Sequence, residues 1–238
     1  MKIYTTAIQR GGTGKTTTTA ALGQAAAYKG YKTLLIDMDP QGNLTFCTGS
    51  DTTRNNIFDV LHSNREITSC TQPLNDNLDI IPASWSLSTI KGGTGAATKL
   101  KKALQPLKKY DYVFIDTPAT AGILQYNALY AATDGFIIPL EAEIYSLQSL
   151  YQITDAAQQM KIKAAGLIFT QANFRSTISK TIKEKILAVA QSREIPYLGD
   201  IRTGVAIKEA AALKIDLYQY APKSNPAKDY LSLLDKLL

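Results

Sequence analysis

Apolar residues in this chain fall in short unbroken runs rather than in strict alternation with polar ones. Runs at residues 3–8, 33–36, 78–81, 112–115, 135–139 and 165–170 predict strands of a parallel sheet covered on both faces. Between them, helical spacing of apolar positions predicts helices over 16–29, 97–108, 122–132, 146–161 and 176–192. The alternation predicts an α/β fold of three layers, a mostly parallel sheet flanked by helices and joined by right-handed crossovers. With 238 residues and 45% hydrophobic content, one domain spanning 1–238 and enclosing one substantial core is expected.

The first run leads into Gln9-Arg10-Gly11-Gly12-Thr13-Gly14-Lys15-Thr16-Thr17, and a small-residue helical stretch follows. A strand, a glycine-rich turn and a helix start make a phosphate cradle. Gly11, Gly12 and Gly14 let backbone amides face phosphate oxygens without a Cβ in the way, and the helix N-terminus adds partial positive charge. Lys15 is placed to reach the β and γ phosphates of a nucleoside triphosphate, and the Thr16 hydroxyl to take a coordination place on Mg2+. Gly11, Gly12, Thr13, Gly14, Lys15, Thr16 and Thr17 are therefore the expected nucleotide contacts. Residues 91–98 nearly repeat the loop, but no strand precedes them and Ala96 stands where the lysine belongs. They read as a glycine-bearing connection.

Two further strand ends carry carboxylates. The second run closes on Asp37-Met38-Asp39-Pro40-Gln41-Gly42-Asn43, and the fourth on Asp116-Thr117-Pro118. Carboxylates at i and i+2 share one side of an extended segment. That arrangement lets Asp37 hold a Mg2+-bound water while Asp39 orients or deprotonates the water attacking the γ-phosphate. Asp116 has the position of a Walker B carboxylate serving the metal's outer shell.

The formal charge is +6, which permits contact with an anionic polymer without requiring it. Six lysines and no acid lie between Lys91 and Lys109, and seven basic residues against Glu184 alone lie between Lys161 and Arg193. Either run also reads as a solvated helix face. Cys47 and Cys70 show no metal-ligand spacing, and no apolar run approaches the roughly 20 residues of a membrane span. A cytoplasmic setting is expected.

The crowded loop with a basic residue before Gly-Gly-x-Gly-Lys-Thr resembles the deviant Walker A loop of the ParA/MinD ATPases, and Asp-x-Asp-Pro-Gln-Gly-Asn is similar to the ParA (Soj-type) branch. The resemblance extends through Gly122, Asn127 to Leu129, Pro139, Glu143, Tyr145, Leu147, Thr170, Arg175, Glu209, Ala210, Pro222 to Ser224, Tyr230 and Leu231. It implies the P-loop NTPase fold and a slow, Mg2+-dependent partition ATPase. By the same resemblance the protein forms an ATP-bound sandwich homodimer, coats nonspecific DNA on the nucleoid and is stimulated by a ParB-type partner. Lys15, Asp39 and Arg10 are the implied catalytic residues, with Thr16, Asp37 and Asp116 at the metal.

The chain departs from the family at two places that matter. Arg10 replaces the signature lysine that reaches across the dimer to the partner's nucleotide, and Ala206 stands where an arginine commonly helps to hold DNA. Arg202 and Lys208 are the candidate substitutes. A MinD-like, membrane-associated role is the alternative, but the tail at 229–238 is short and its aspartates offset its lysines, so docking onto the core is expected instead. The iron–sulfur reductases that share this loop place a cysteine after the Walker B strand, and neither cysteine lies there.

Overall fold

The structure is a computed structural model that describes residues 1–172 and 177–237. Arg175, the first residue of the helix expected at 176–192, and the last residue of the tail lie outside the described residues. In chain order the elements are β1 (Lys2–Thr6), α1 (Lys15–Tyr28), β2 (Thr33–Asp37), α2 (Asn43–Cys47), α3 (Ile57–Ser63), β3 (Gln72–Asn75), β4 (Leu78–Ile81), α4 (Lys99–Leu104) and β5 (Tyr112–Asp116). They continue as α5 (Ile123–Ala131), β6 (Phe136–Leu140), α6 (Ser146–Gln159), β7 (Ala164–Ala172), α7 (Thr177–Ser192), β8 (Tyr197–Arg202), α8 (Val205–Leu213), α9 (Leu217–Tyr220) and α10 (Asn225–Leu237).

The eight strands form one sheet in the order β3-β4-β2-β5-β1-β6-β7-β8. Among the described residues only the β3–β4 pair is antiparallel. The three-layer α/β architecture expected from the sequence is what the chain adopts. Every residue of β2, β5 and β6 is buried, which is why these strands read as unbroken apolar runs. Side-chain alternation divides them between two faces. Leu35 and Phe114 pack with α1, α9 and α10, whereas Leu34, Ile36, Val113 and Ile115 pack with α3, α4 and α5. Beyond β1, the apolar residues of β6 and β7 on that second face pack with α6 and α7.

Both edge strands escape the sequence pattern. β3 reads Gln-Pro-Leu-Asn, and β8 reads Tyr-Leu-Gly-Asp-Ile-Arg with exposed ends. Each is covered on fewer sides than a central strand and so lacks the continuous apolar signature. The helix expected over 97–108 is shorter. A 3-10 turn at Ala96–Thr98 leads into α4, which ends at Leu104, because Pro106 has no N–H to continue the helical ladder. The tail docks as expected, with Tyr230, Leu233, Leu234 and Leu237 of α10 buried against α1 and the sheet. Among the described residues no helix is long and apolar enough to cross a membrane.

Candidate nucleotide site

Strand register assembles the site. Asp37 at the end of β2 lies level with Asp116 at the end of β5, and Asp116 lies level with Thr6 at the end of β1. The loop from β1 to α1 therefore leaves the sheet beside two carboxylates. Gly14 caps α1 with φ of 82°, and Gly12 has φ of 78°, a region L side chains rarely occupy. A Cβ on Gly14 would stand 3.2 Å from Thr170 Cγ2. Thr170, near the end of β7, also donates its hydroxyl to the Thr13 carbonyl at 2.9 Å, clamping the loop from the neighbouring strand.

Around a cavity of about 660 Å3 stand Gly11, Gly12, Gly14, Lys15, Thr16, Thr17 and, across from them, Asp39. Thr13 is buried in the loop and its Oγ1 has no partner among the described residues. Lys15 is almost buried and its Nζ donates to the Arg10 carbonyl at 2.7 Å. Burial pulls its ammonium below the usual lysine range, while Asp116 and Asp39 oppose that shift. Thr16 Oγ1 donates to Asp116 Oδ2 at 2.6 Å. That hydrogen bond joins the glycine loop to the Walker B strand.

The two buried carboxylates differ in what they have left to offer. Asp37 is saturated: Oδ1 accepts from the Asp39 amide at 3.1 Å, and Oδ2 from the Thr45 amide at 2.8 Å and the Thr45 hydroxyl at 2.7 Å. Asp116 Oδ1 is buried without a partner among the described residues. Burial, then the charge of Asp37, pushes the Asp116 carboxyl up to about 8. Burial pushes Asp37 up to about 6 against its three hydrogen bonds. Side-by-side carboxylates, one oxygen unsatisfied, and a threonine hydroxyl are a hard, all-oxygen donor set, which fits Mg2+. The open space beside Gly11 and Gly12, where a Cβ would meet nothing within 4 Å, fits the phosphates.

Asp39 differs from the sequence expectation. β2 stops at Asp37, so Asp39 lies in the following turn rather than on the same side of a strand; its Oδ1 accepts from the Gln41 amide at 2.9 Å. Asp39 borders the cavity, whereas Asp37 is enclosed behind it. Arg10 reaches to the segment after β6. Its guanidinium is ion-paired with Glu143 and donates to Ser146 Oγ at 2.9 Å. Arg202 and Lys208 come to the far wall of the same cavity, and Arg202 is held by Asp229 through Nη2 to Oδ1 at 2.6 Å and through Nε.

Three supporting residues carry little sequence signal. Thr45 orients Asp37 from α2, Ser146 holds Arg10 from the start of α6, and Cys47 lines the nucleotide cavity. Of these only Thr45 was within reach, as a hydroxyl two residues after the Asp-x-Asp-Pro-Gln-Gly-Asn turn.

A glycine loop between β1 and α1, clamped by β7 and joined through Thr16 to a strand-end carboxylate, defines a P-loop nucleotide-binding protein. Residues 1–168 match the AAA domain family. The sporulation initiation inhibitor protein Soj of Bacillus subtilis (strain 168) is 31% identical over 98% of this chain and 96% of its own length. Among solved structures, apo McdA of Cyanothece superposes with a TM-score of 0.90 at 26% identity, covering all of both chains. A plasmid partition protein of Borrelia burgdorferi B31 bound to AMPPNP superposes with a TM-score of 0.86 at 28% identity, over 99% of this chain and 97% of that one. The chain belongs to the ParA/MinD-type P-loop ATPases.

Proposed function

We propose that the protein is a Mg2+-dependent partition ATPase, acting as one domain, whose ATP-bound homodimer holds nonspecific DNA and is switched off by hydrolysis that a ParB-type partner stimulates. The observation that carries the ATPase half is the hydrogen bond from Thr16 to Asp116 beside the open glycine loop. The partition half rests on the likeness to the Borrelia plasmid partition protein.

In this reading the amides of Gly11, Gly12 and Gly14, with the Lys15 ammonium, hold the phosphates. Thr16 Oγ1 and Asp116 Oδ1 would hold Mg2+, while Asp37 keeps the turn of Asp39 in place through the Asp39 amide. When bound, Mg2+ offsets charge on the phosphate oxygens. Asp39 takes a proton from the attacking water at the oxygen not engaged by Gln41. Arg10 leaves Glu143 to contact the partner subunit's nucleotide; a guanidinium suits that task because it grips phosphate oxygens bidentately.

For DNA, the supporting observations are the net charge of +6 and exposed lysines at 101, 102, 108, 180 and 185. Arg202 contributes less than its charge promises, since Asp229 already engages it. Three or four phosphate contacts per subunit would become about six to eight in a dimer, and affinity would then fall by orders of magnitude between low and physiological salt. The membrane-associated alternative loses its main support because the apolar residues of α10 face the core. Anisotropy of a labelled random-sequence duplex tests the proposal. Binding with ATP, its absence with ADP and a steep salt dependence are expected; no binding in any nucleotide state at low salt would refute the DNA half.

A further inference from the structure

A second cavity of about 450 Å3 opens on the other side of Asp39, between the segment after β4 and the start of α5. Its walls combine apolar residues, Leu87, Ile90 and Ile123 among them, with the polar Asp39, Gln41, Ser88 and Thr120, and Trp85 lies 68% exposed at its rim. Gln125 also lines it. That side chain is fully buried, and neither its Oε1 nor its Nε2 has a partner among the described residues.

Leaving one buried polar group unsatisfied is expensive, and Gln125 leaves a donor and an acceptor on the same amide. The group complementary to a primary amide is another amide edge, an N–H and a C=O side by side. A wall with many apolar residues, an exposed indole at its rim and an unpaired amide buried just behind it are the composition of a ligand site rather than of a packing defect. We propose that this cavity, which adjoins the nucleotide cavity and shares Asp39, Gln41 and Ala119 with it, is a second binding site for an amide edge carried on an apolar body, with Gln125 turning toward the ligand to pair with it and Trp85 covering the apolar part. A free carboxamide and a peptide backbone both present that chemistry. An occupant would also touch Asp39 and Pro40, so it would press on the turn that carries the residue assigned to hydrolysis.

Trp85 is the chain's single tryptophan, so its emission reports directly on this cavity. Titration of nucleotide-free protein with isovaleramide is expected to give a saturable blue shift, and methyl isovalerate, which lacks the N–H, to bind at least about tenfold more weakly, the worth of one to two hydrogen bonds. The peptide acetyl-Leu-Ala-Leu-amide identifies the source: tighter binding than the free carboxamide assigns the site to a partner's peptide, equal binding to a small molecule. Gln125→Leu should keep or raise the thermal midpoint, because it removes an unsatisfied buried amide, and should erase the preference for amide over ester. No saturable response in the wild type, equal affinity for amide and ester, or an amide preference that survives Gln125→Leu would each overturn the proposal.

Discussion

Arg10 and Glu143 form an ion pair within one subunit, and Ser146 holds the same guanidinium through its hydroxyl. The residue expected to cross to a partner's nucleotide is thus tethered to the loop after β6 of its own chain. Glu143 is half exposed, and pairs of that kind contribute only ~0.2–1 kcal/mol. The tether is therefore weak enough for a dimer to break.

Glu143→Gln should release Arg10 at little cost to the fold. The thermal midpoint should stay nearly constant while the ATP-dependent dimer tightens about two- to fivefold per tether lost, read by sedimentation in ATP and Mg2+. Arg10→Ala should retain ATP affinity in the monomer and lose the dimer, and Arg10→Lys should restore it. A dimer unaffected by Arg10→Ala would leave the guanidinium as a local cap on its own loop.

Lys15→Ala should abolish ATP binding, because Lys15 is the one side-chain charge of the loop that borders the cavity. In the resting protein its ammonium rests on the Arg10 carbonyl, so phosphate binding must exchange one acceptor for another. Calorimetric titration decides: heat of binding indistinguishable from wild type would remove Lys15 from the site.

The buried carboxylates predict a pH dependence with a definite sign. Asp116 is raised to about 8 from an ordinary 3.8, so between those values the folded, metal-free protein holds a proton that the unfolded chain has released. Stability then falls as pH rises through that window, by at most about 1.4 kcal/mol per pH unit for one group. Asp37, raised to about 6, adds to the lower part. In EDTA, wild type should lose thermal midpoint relative to Asp116→Asn between pH 5 and pH 8. Parallel curves for the two proteins would show that Asp116 does not carry the strain.

Burial pushes the Cys47 thiol up to about 12 and raises that of Cys70. Only the thiolate reacts. Iodoacetamide at neutral pH should modify both far more slowly than free cysteine, and ATP should protect Cys47 further because Cys47 lines the nucleotide cavity. Rapid alkylation of Cys47 in the presence of ATP would place the nucleotide elsewhere.

Much of this site was legible from residue order, and the reason is burial. β2 and β5 are covered on both faces, so their apolar runs and terminal aspartates stand out, and the glycine loop is fixed by backbone conformation that few residues adopt. What escaped depends on contacts between distant segments. Glu143 and Ser146 meet Arg10 across more than 130 positions, and Thr170 meets Thr13 across 157. Asp39 was placed on the wrong local geometry because strand periodicity was carried two residues past the end of β2. Edge strands β3 and β8 lack the two-sided burial that makes a strand visible in sequence.

ATP is expected to join two copies of this chain, and Asp39 to end that state. Asp39→Ala should keep ATP binding and slow hydrolysis by about 10² to 10⁴, the usual worth of a positioned general base. Light scattering of Asp39→Ala with ATP and Mg2+ is the most direct measurement. Twice the monomer mass is expected with ATP and the monomer mass with ADP; monomer mass in both would rule out a dimer joined by nucleotide.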